Sequence, residues 1–481
     1  MLLVPLVATL VSLVAPGVGR FFTVLSGVAC FASTVVLVPA ASAAGGVSVG
    51  FLRVDALSGV FLLATGFLYA ATATYAVGYL RGEHSTVSMR RFYVGMNIFA
   101  WSMLCAPAMN GLALLWIAIE VTTVVSALLV AIENTDGAVE ASWKYVLIAS
   151  AGLGIALLAT VFLYYAGSRV LGPSYDLAFV PLLKAGAALP ETPVRLAFVL
   201  AVLGFGTKVG LFPVHTWLPD AHSEAPTPIS ALLSGALLAT SFYAVLRFYQ
   251  IAVATLGPRF PQTVLMVFGI ASLALAALYL LDQRDLKRML AYSSVEHMGI
   301  LAIAVSFGAP LALFGALLHV LAHAAAKGNA FYGAGVLVRK YLTKDLHRIR
   351  GATGVLPVTA PLFLLAVLAL SAMPPFGLFR SEFAIVAGGL QSSRNTVAVV
   401  LVALVTLAFL GLATATTRLV YTPDPRPDGD GAVAITRGEV SAWMVAPMVA
   451  GLLALLLLGL YLPADLTTLL TRAAALLGGT P

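Results

Sequence analysis

Apolar runs long enough to span a bilayer recur from one end of this chain to the other, separated by short polar links. As a helix, about 20 apolar residues cross a hydrocarbon core of about 30 Å. On that measure the segments fall near residues 2–15, 21–40, 51–80, 92–109, 111–132, 144–167, 194–218, 227–251, 261–281, 292–307, 310–338, 357–391 (interrupted), 396–420 and 441–462. Backbone in lipid must satisfy its own hydrogen bonds, and continuous apolar runs do so as helices. The expectation is an all-α integral membrane protein of about fourteen transmembrane helices. Charged residues make up only 10% of the chain, far below the roughly 25% of soluble domains.

Lysine and arginine then set the orientation. The links after odd-numbered segments hold sixteen of them, and those after even-numbered segments hold seven. That bias puts the odd links in the cytoplasm and both termini outside. The net charge of +7 fits links that face an anionic leaflet. No basic run carries interleaved aromatics, so nucleic acid is not expected as a partner. Met1 to Ala15 lacks a basic leading region and a small-residue cleavage site, and reads as a helix rather than a signal peptide. Thr422 to Gly431, rich in Pro, Asp and Gly, reads as a cytoplasmic loop and not a domain linker.

Against this apolar background, Gly204 to Pro228 stands out. It holds Lys208 in an apolar segment, prolines at 213 and 219, and then His215, Asp220, His222 and Glu224. A cation at the bilayer centre costs about 2.5 to 3.5 kcal/mol even on lenient scales, so such a lysine marks function. Non-helical backbone at that depth survives only beside protein or a wet cavity. A second interrupted run, Ser371 to Glu382, carries Pro374, Pro375, Arg380 and Glu382. Paired interruptions in corresponding halves point to the transport site of an inverted-repeat protein.

Other polar groups lie inside apolar segments. Glu120 sits in LLWIAIEVTTVVSALLV, and Lys208 is its natural partner. His319, His323 and Lys327 recur every four residues and share one helix face, a stripe suited to passing protons. Histidines at that spacing also suit zinc, but the acidic residue a zinc protease needs between them is absent, and no metal is expected. Glu296 and His297 fit either a proton path or a helix end. They follow Asp282, Arg284, Asp285, Lys287 and Arg288, which read as a solvated loop. Arg380 and Glu382, two residues apart, do not face each other on a helix.

Cys30 and Cys105 lie in separate apolar segments and supply neither an iron–sulfur set nor a zinc site. Gly204, Gly206 and Lys208 lack the spacing of a phosphate loop. The chain alone is therefore expected to hold no cofactor and to catalyse no redox or hydrolytic reaction.

The run from Lys208 to Pro228, with Glu120 before it and His319, His323, Lys327 and Glu382 after it, closely resembles the antiporter-like proton-translocating subunits of respiratory complex I, multisubunit cation/proton antiporters and membrane-bound [NiFe]-hydrogenases. AYSSVEHMGI, ATVFLYYAG and MPPFGLFRSEF resemble most the hydrogenase-4 and formate hydrogenlyase type. The resemblance implies two inverted five-helix repeats, here residues 92–251 and 261–421, with broken seventh and twelfth helices. Residues 1–91 would hold three leading helices and 441–481 a fourteenth helix and tail, without a long lateral helix. It implies a proton path through Glu120, Lys208, His215, His319, His323, Lys327 and Glu382, with Asp220, His222, Glu224, Glu296 and His297 as further candidates. Partners would be other membrane subunits and a peripheral redox arm in a bacterial or archaeal cell membrane, with protons, or sodium in their place, as cargo. One departure is Ala239 in LLATSFYAVLRF, where many complex I relatives place a lysine. The alternatives are a subunit of a respiratory NADH-quinone oxidoreductase, and a cation/proton antiporter not driven by redox chemistry. The intact titratable set argues against a scaffold that has lost pumping.

Overall fold

The computed structural model describes residues 1–81, 86–423 and 436–478. From residue 424 on, the link Thr422 to Gly431 lies outside the described residues. Helices α1 (Leu3–Val14) and α2 (Pro16–Ala41) precede a hairpin of β1 (Val47–Val49) and β2 (Leu52–Val54), antiparallel with Val47 opposite Val54. Then come α3 (Ala56–Tyr79), α4 (Thr86–Cys105), α5 (Leu112–Val130), α6 (Asp136–Leu171), the short α7 (Phe179–Ala185), α8 (Glu191–Val209) and α9 (Trp217–Glu224). Helices α10 (Thr227–Leu232) and α11 (Leu238–Leu256) are joined by a π-turn at Leu233–Leu237. The second half holds α12 (Arg259–Leu280), α13 (Leu286–Phe307), α14 (Pro310–Tyr341), α15 (Ala352–Val355), α16 (Thr359–Leu370), α17 (Gly377–Gln391), α18 (Asn395–Tyr421), α19 (Ala442–Leu460) and α20 (Ala464–Leu477).

Eleven of the described helices are long and apolar enough to cross a membrane, counting Thr227–Leu256 as one; Leu3–Val14 and Thr359–Leu370 are apolar but shorter. Local chemistry fixes many ends. Asp55 accepts the Ser58 N–H to open α3, Thr135 accepts from Ala138 N to open α6, and Asp285 accepts from Arg288 N to open α13. Gly210, at φ +85°, lets the chain leave α8 in the left-handed conformation that a side chain would oppose.

Two expectations change. The apolar run at 51–80 becomes helical only at Ala56, because Gly50 at φ +57° turns VSV back on LRV as the hairpin. The tail after residue 462 forms α20, whose Leu469, Leu470, Ala473, Ala474 and Leu477 repeat at helical spacing and are buried.

The bundle has a definite inside. The Thr227–Leu256 span and α13 are buried over all of their most apolar window and α14 over 89%, whereas α18 is buried over only 28%. Polar groups on α13 and α14 are thus screened from lipid by surrounding helices.

A buried ion pair fastens the hairpin end to this interior. Arg247 on α11 is 2% exposed and donates to Asp55 Oδ1 at 2.7 Å, Tyr243 OH at 2.9 Å and Gln250 Oε1 at 2.9 Å; Gln250 in turn donates to the Leu476 carbonyl on α20 at 3.0 Å. Arg247→Ala would leave the buried Asp55 carboxylate with only the more distant Arg53, 3.8 Å from Oδ2, as a charge partner. The expected loss is about 3 to 5 kcal/mol, read as a lowered unfolding temperature in detergent. An unfolding temperature within a degree of wild type would refute it.

Candidate functional site

Lys208 lies near the end of α8 and is fully buried. Its Nζ donates to Thr123 Oγ1 on α5 at 2.8 Å and to the Tyr145 hydroxyl on α6, and lies 4.6 Å from the centre of the Tyr145 ring. That hydroxyl also pairs with Ser126 Oγ at 2.7 Å. Glu120, three residues before Thr123, is half-buried and its Oε2 has no hydrogen-bond partner among the described residues. The two charged groups expected to pair therefore do not make a contact ion pair. The ammonium is seated instead on two hydroxyls and an aromatic face, one turn along α5 from the carboxylate.

Lys327 is held in the same way. It lies with His319 and His323 on one buried face of α14, and donates to the Leu290 carbonyl at 2.9 Å and to Ser293 Oγ on α13. Glu296, three residues beyond Ser293, is 3% exposed and leaves Oε2 without a partner. In both halves a buried lysine donates to a hydroxyl three residues from a carboxylate on a neighbouring helix, half-buried at Glu120 and buried at Glu296.

His297 joins the α14 stripe. Its Nδ1 is 3.0 Å from His319 Nε2, and its ring centre is 5.0 Å from that of His323. His319 Nδ1 lies 3.1 Å from Ser381 Oγ on α17. Glu382, next in sequence, brings a carboxylate oxygen to this group: the ligand atoms of His297, His319 and Glu382 all lie within 4.8 Å of one another. Glu382 also borders a cavity of about 420 Å³ lined by Ile300, Ser371, Met373 and Phe379. Arg380 is half-buried and has no ion-pair partner among the described residues.

The remaining candidates divide. His215 is buried in the break between α8 and α9, beside the Phe212 ring, with Nδ1 unpartnered. Asp220 meets Lys144 at 3.4 Å and Arg288 at 3.2 Å, and Glu224 meets Lys344 at 2.8 Å, in partly exposed pairs at the end of the bundle. Such pairs carry little stability. Lys287 departs from the solvated loop expected of it: it is buried, and donates to the Ser223 carbonyl at 2.9 Å and the Ala225 carbonyl at 2.5 Å. The last carbonyls of α9 lack intrahelical donors, and a cation there satisfies them.

Between the lysines, position 239 contributes only a buried methyl group. Contacts run by another route. The Trp217 ring lies 4.4 Å from that of Tyr145 and 5.9 Å from that of His222, and His222 lies 6.1 Å from Phe331, one turn past Lys327. His222 Nδ1 donates to the Leu218 carbonyl at 2.8 Å, which leaves its buried Nε2 an unpartnered acceptor. At the π-turn, Ser234 Oγ meets Ser294 Oγ at 2.7 Å, and Ser294 shares the Leu290 carbonyl with Lys327.

Reading the sequence missed Thr123, Tyr145, Ser293 and Ser381. The one signal was proximity: two threonines follow Glu120 and two serines precede Glu296.

Comparison with known proteins agrees with this architecture. The transmembrane family described as NADH:quinone oxidoreductase/Mrp antiporter matches residues 108–410. The chain is 35% identical over 86% of its length to the hydrogenase-4 component F homolog of Methylacidiphilum infernorum, covering 86% of that protein. It is 31% identical over 85% of its length to NADH-quinone oxidoreductase subunit N of Desulforudis audaxviator, covering 82% of it. A chain of respiratory complex I from Thermus thermophilus superposes with a TM-score of 0.82 at 25% identity, over 99% of both chains. The chain belongs to the NADH:quinone oxidoreductase/Mrp antiporter family, as an antiporter-like membrane subunit of complex I-, Mrp- or hydrogenase-type complexes.

Proposed function

We propose that this subunit carries protons across the membrane between two half-sites, one built on Glu120, Thr123, Tyr145 and Lys208, the other on Glu296, Ser293, Lys327 and the histidines at 297, 319 and 323. The observation that carries the reading is the matched seating of the two lysines, each fully buried and each on a hydroxyl three residues from an under-bonded carboxylate. A lysine so placed is one step from two partners. It rests on the hydroxyl, or swings to the carboxylate and becomes a tighter ion pair. Two unit charges about 10 Å apart at an effective dielectric constant of about 20 interact by about 1.7 kcal/mol, more than tenfold in proton affinity. A proton gained at one half-site therefore favours proton loss at the next.

His222, Trp217 and Tyr145 with the Ser234–Ser294 pair link the halves where Ala239 supplies no titratable group. Glu382 and its cavity form the exit, toward the outside if both termini lie outside. The interrupted pairs α8/α9 and α16/α17 support two inverted five-helix repeats at 92–251 and 261–421, flanked by residues 1–91 and 441–481, in a bundle of fourteen spans. The likeness to a hydrogenase-4 component supports a redox-driven complex with a peripheral arm, in a cell membrane, with protons, or sodium in their place, as cargo.

The test is vesicle acidification by the reconstituted complex. Glu120→Gln and Lys208→Met are each expected to cut the rate at least tenfold while the complex stays assembled. Normal pumping by both would remove the first half-site from the path.

A further inference from the structure

The geometry points to a divalent transition-metal site, of the zinc class, formed by His297, His319 and Glu382 where α13, α14 and α17 meet. It goes beyond the transport reading, because binding there does not depend on which ion is carried or in which direction.

Three observations carry it. First, two imidazoles and one carboxylate offer ligand atoms all within 4.8 Å of one another. Tetrahedral zinc with bonds of about 2.0 to 2.1 Å spaces its ligand atoms by about 3.3 Å. His297 Nδ1 and His319 Nε2, 3.0 Å apart, are already near that separation, and a small movement of the carboxylate closes the set.

Second, His319 is oriented as a metal-binding histidine is. Ser381 Oγ donates to the Leu378 carbonyl at 2.8 Å, so its oxygen accepts the proton of His319 Nδ1 at 3.1 Å. That bond holds the proton on Nδ1 and leaves Nε2 as a lone pair aimed at His297 and Glu382. A hydrogen bond on the far nitrogen is the usual support of a ligating imidazole.

Third, the pocket is short of hydrogen bonds. His297 Nε2, both nitrogens of His323 and Glu296 Oε2 are buried with no partner among the described residues. These are costly vacancies for buried polar atoms. When metal replaces the His297–His319 hydrogen bond, the His297 proton moves to its free Nε2. Glu382 binds as carboxylate and neutralises one of the ion's two positive charges. The cavity at Ser371, Met373 and Phe379 reaches Glu382.

On the reading that this half carries protons, a metal bound here ties up three of its titratable groups at once, so occupancy stops proton passage through it. The site is then an inhibitory one.

The experiment uses the purified complex with Co²⁺, and then Zn²⁺, as probes. Co²⁺ in a four-coordinate nitrogen–oxygen site gives intense visible bands, whereas hydrated octahedral Co²⁺ is nearly colourless. One tight equivalent with the intense spectrum is expected, displaced by Zn²⁺, with X-ray absorption showing imidazole scattering at about 2.0 Å from zinc. His297→Gln and Glu382→Gln should each weaken binding at least tenfold. Only a hydrated spectrum, or an all-oxygen shell around zinc in the wild-type complex, overturns the site. So does unchanged affinity in both variants. The wild-type spectra decide even where a variant fails to assemble, and neither readout requires that the complex pump.

Discussion

Lys327→Arg is expected to abolish proton translocation, while the complex still assembles. The native ammonium is fully buried and bonded to the Leu290 carbonyl and Ser293 Oγ, with Glu296 three residues further along α13. Guanidinium keeps the positive charge and the donors, but with a pKa above about 12 it cannot give up its proton. A carrier that must be neutral at some point in each cycle is thereby locked in its charged form. Lys327→Met removes the charge altogether and is expected to fail as well, for the opposite reason. Vesicle acidification driven by the redox partner measures both, and subunit content on a native gel checks assembly. Retained pumping in an assembled Lys327→Arg complex would take Lys327 out of the path and shift the search to Glu296 and His297.

Charged groups in this chain are conspicuous because lipid makes them costly, and that is why Glu120, Lys208, Lys327 and the α14 histidines could be read directly. Hydroxyls give no such signal. Ser126, Ser241 and Thr160 each bond a carbonyl four residues back in their own helix, so a serine or threonine in a span is affordable anywhere. Only the packing of α6 on α5 and α8 distinguishes Thr123 and Tyr145 from those. Lys287 was misread for the converse reason. In sequence it stands among charges typical of a link, and its burial arises from the end of α9, more than sixty residues away in the chain. The i, i+3, i+4 period of Leu466, Leu469, Leu470 and Ala473 was visible throughout, but a 14-residue helix is too short to register as a span. Local alternation in VSV and LRV was hidden by the long apolar run that follows it.

Gly459→Val is expected to cost the folded protein, although residue 459 touches none of the titratable groups. A β-carbon at that position would fall inside the van der Waals shell of the Pro375 carbonyl oxygen, and would lie 2.8 Å from the Phe376 carbonyl carbon. Both neighbours are backbone, so no rotamer change relieves the overlap. Overpacking a core usually costs about 1 to 3 kcal/mol, and a backbone-to-backbone conflict belongs at or above the top of that range. The position matters because α19 braces the break between α16 and α17 there, with Gly377 a second close approach at Leu458 Cβ, 2.8 Å from an added β-carbon. The start of α17 is placed in part by that contact. Ser381 stands one turn into α17 and holds His319, and Glu382 follows it. Forcing α19 away therefore moves both groups relative to α14. The expected result is loss of extractable, monodisperse protein, or a fall in unfolding temperature well beyond that of a control. Gly154→Ala on α6 is a suitable control, since a β-carbon there meets nothing within 4 Å and alanine favours the helix by about 1 kcal/mol. If Gly459→Val unfolds with the control, α19 does not press on Pro375, and the placement of Glu382 beside His319 loses its mechanical support.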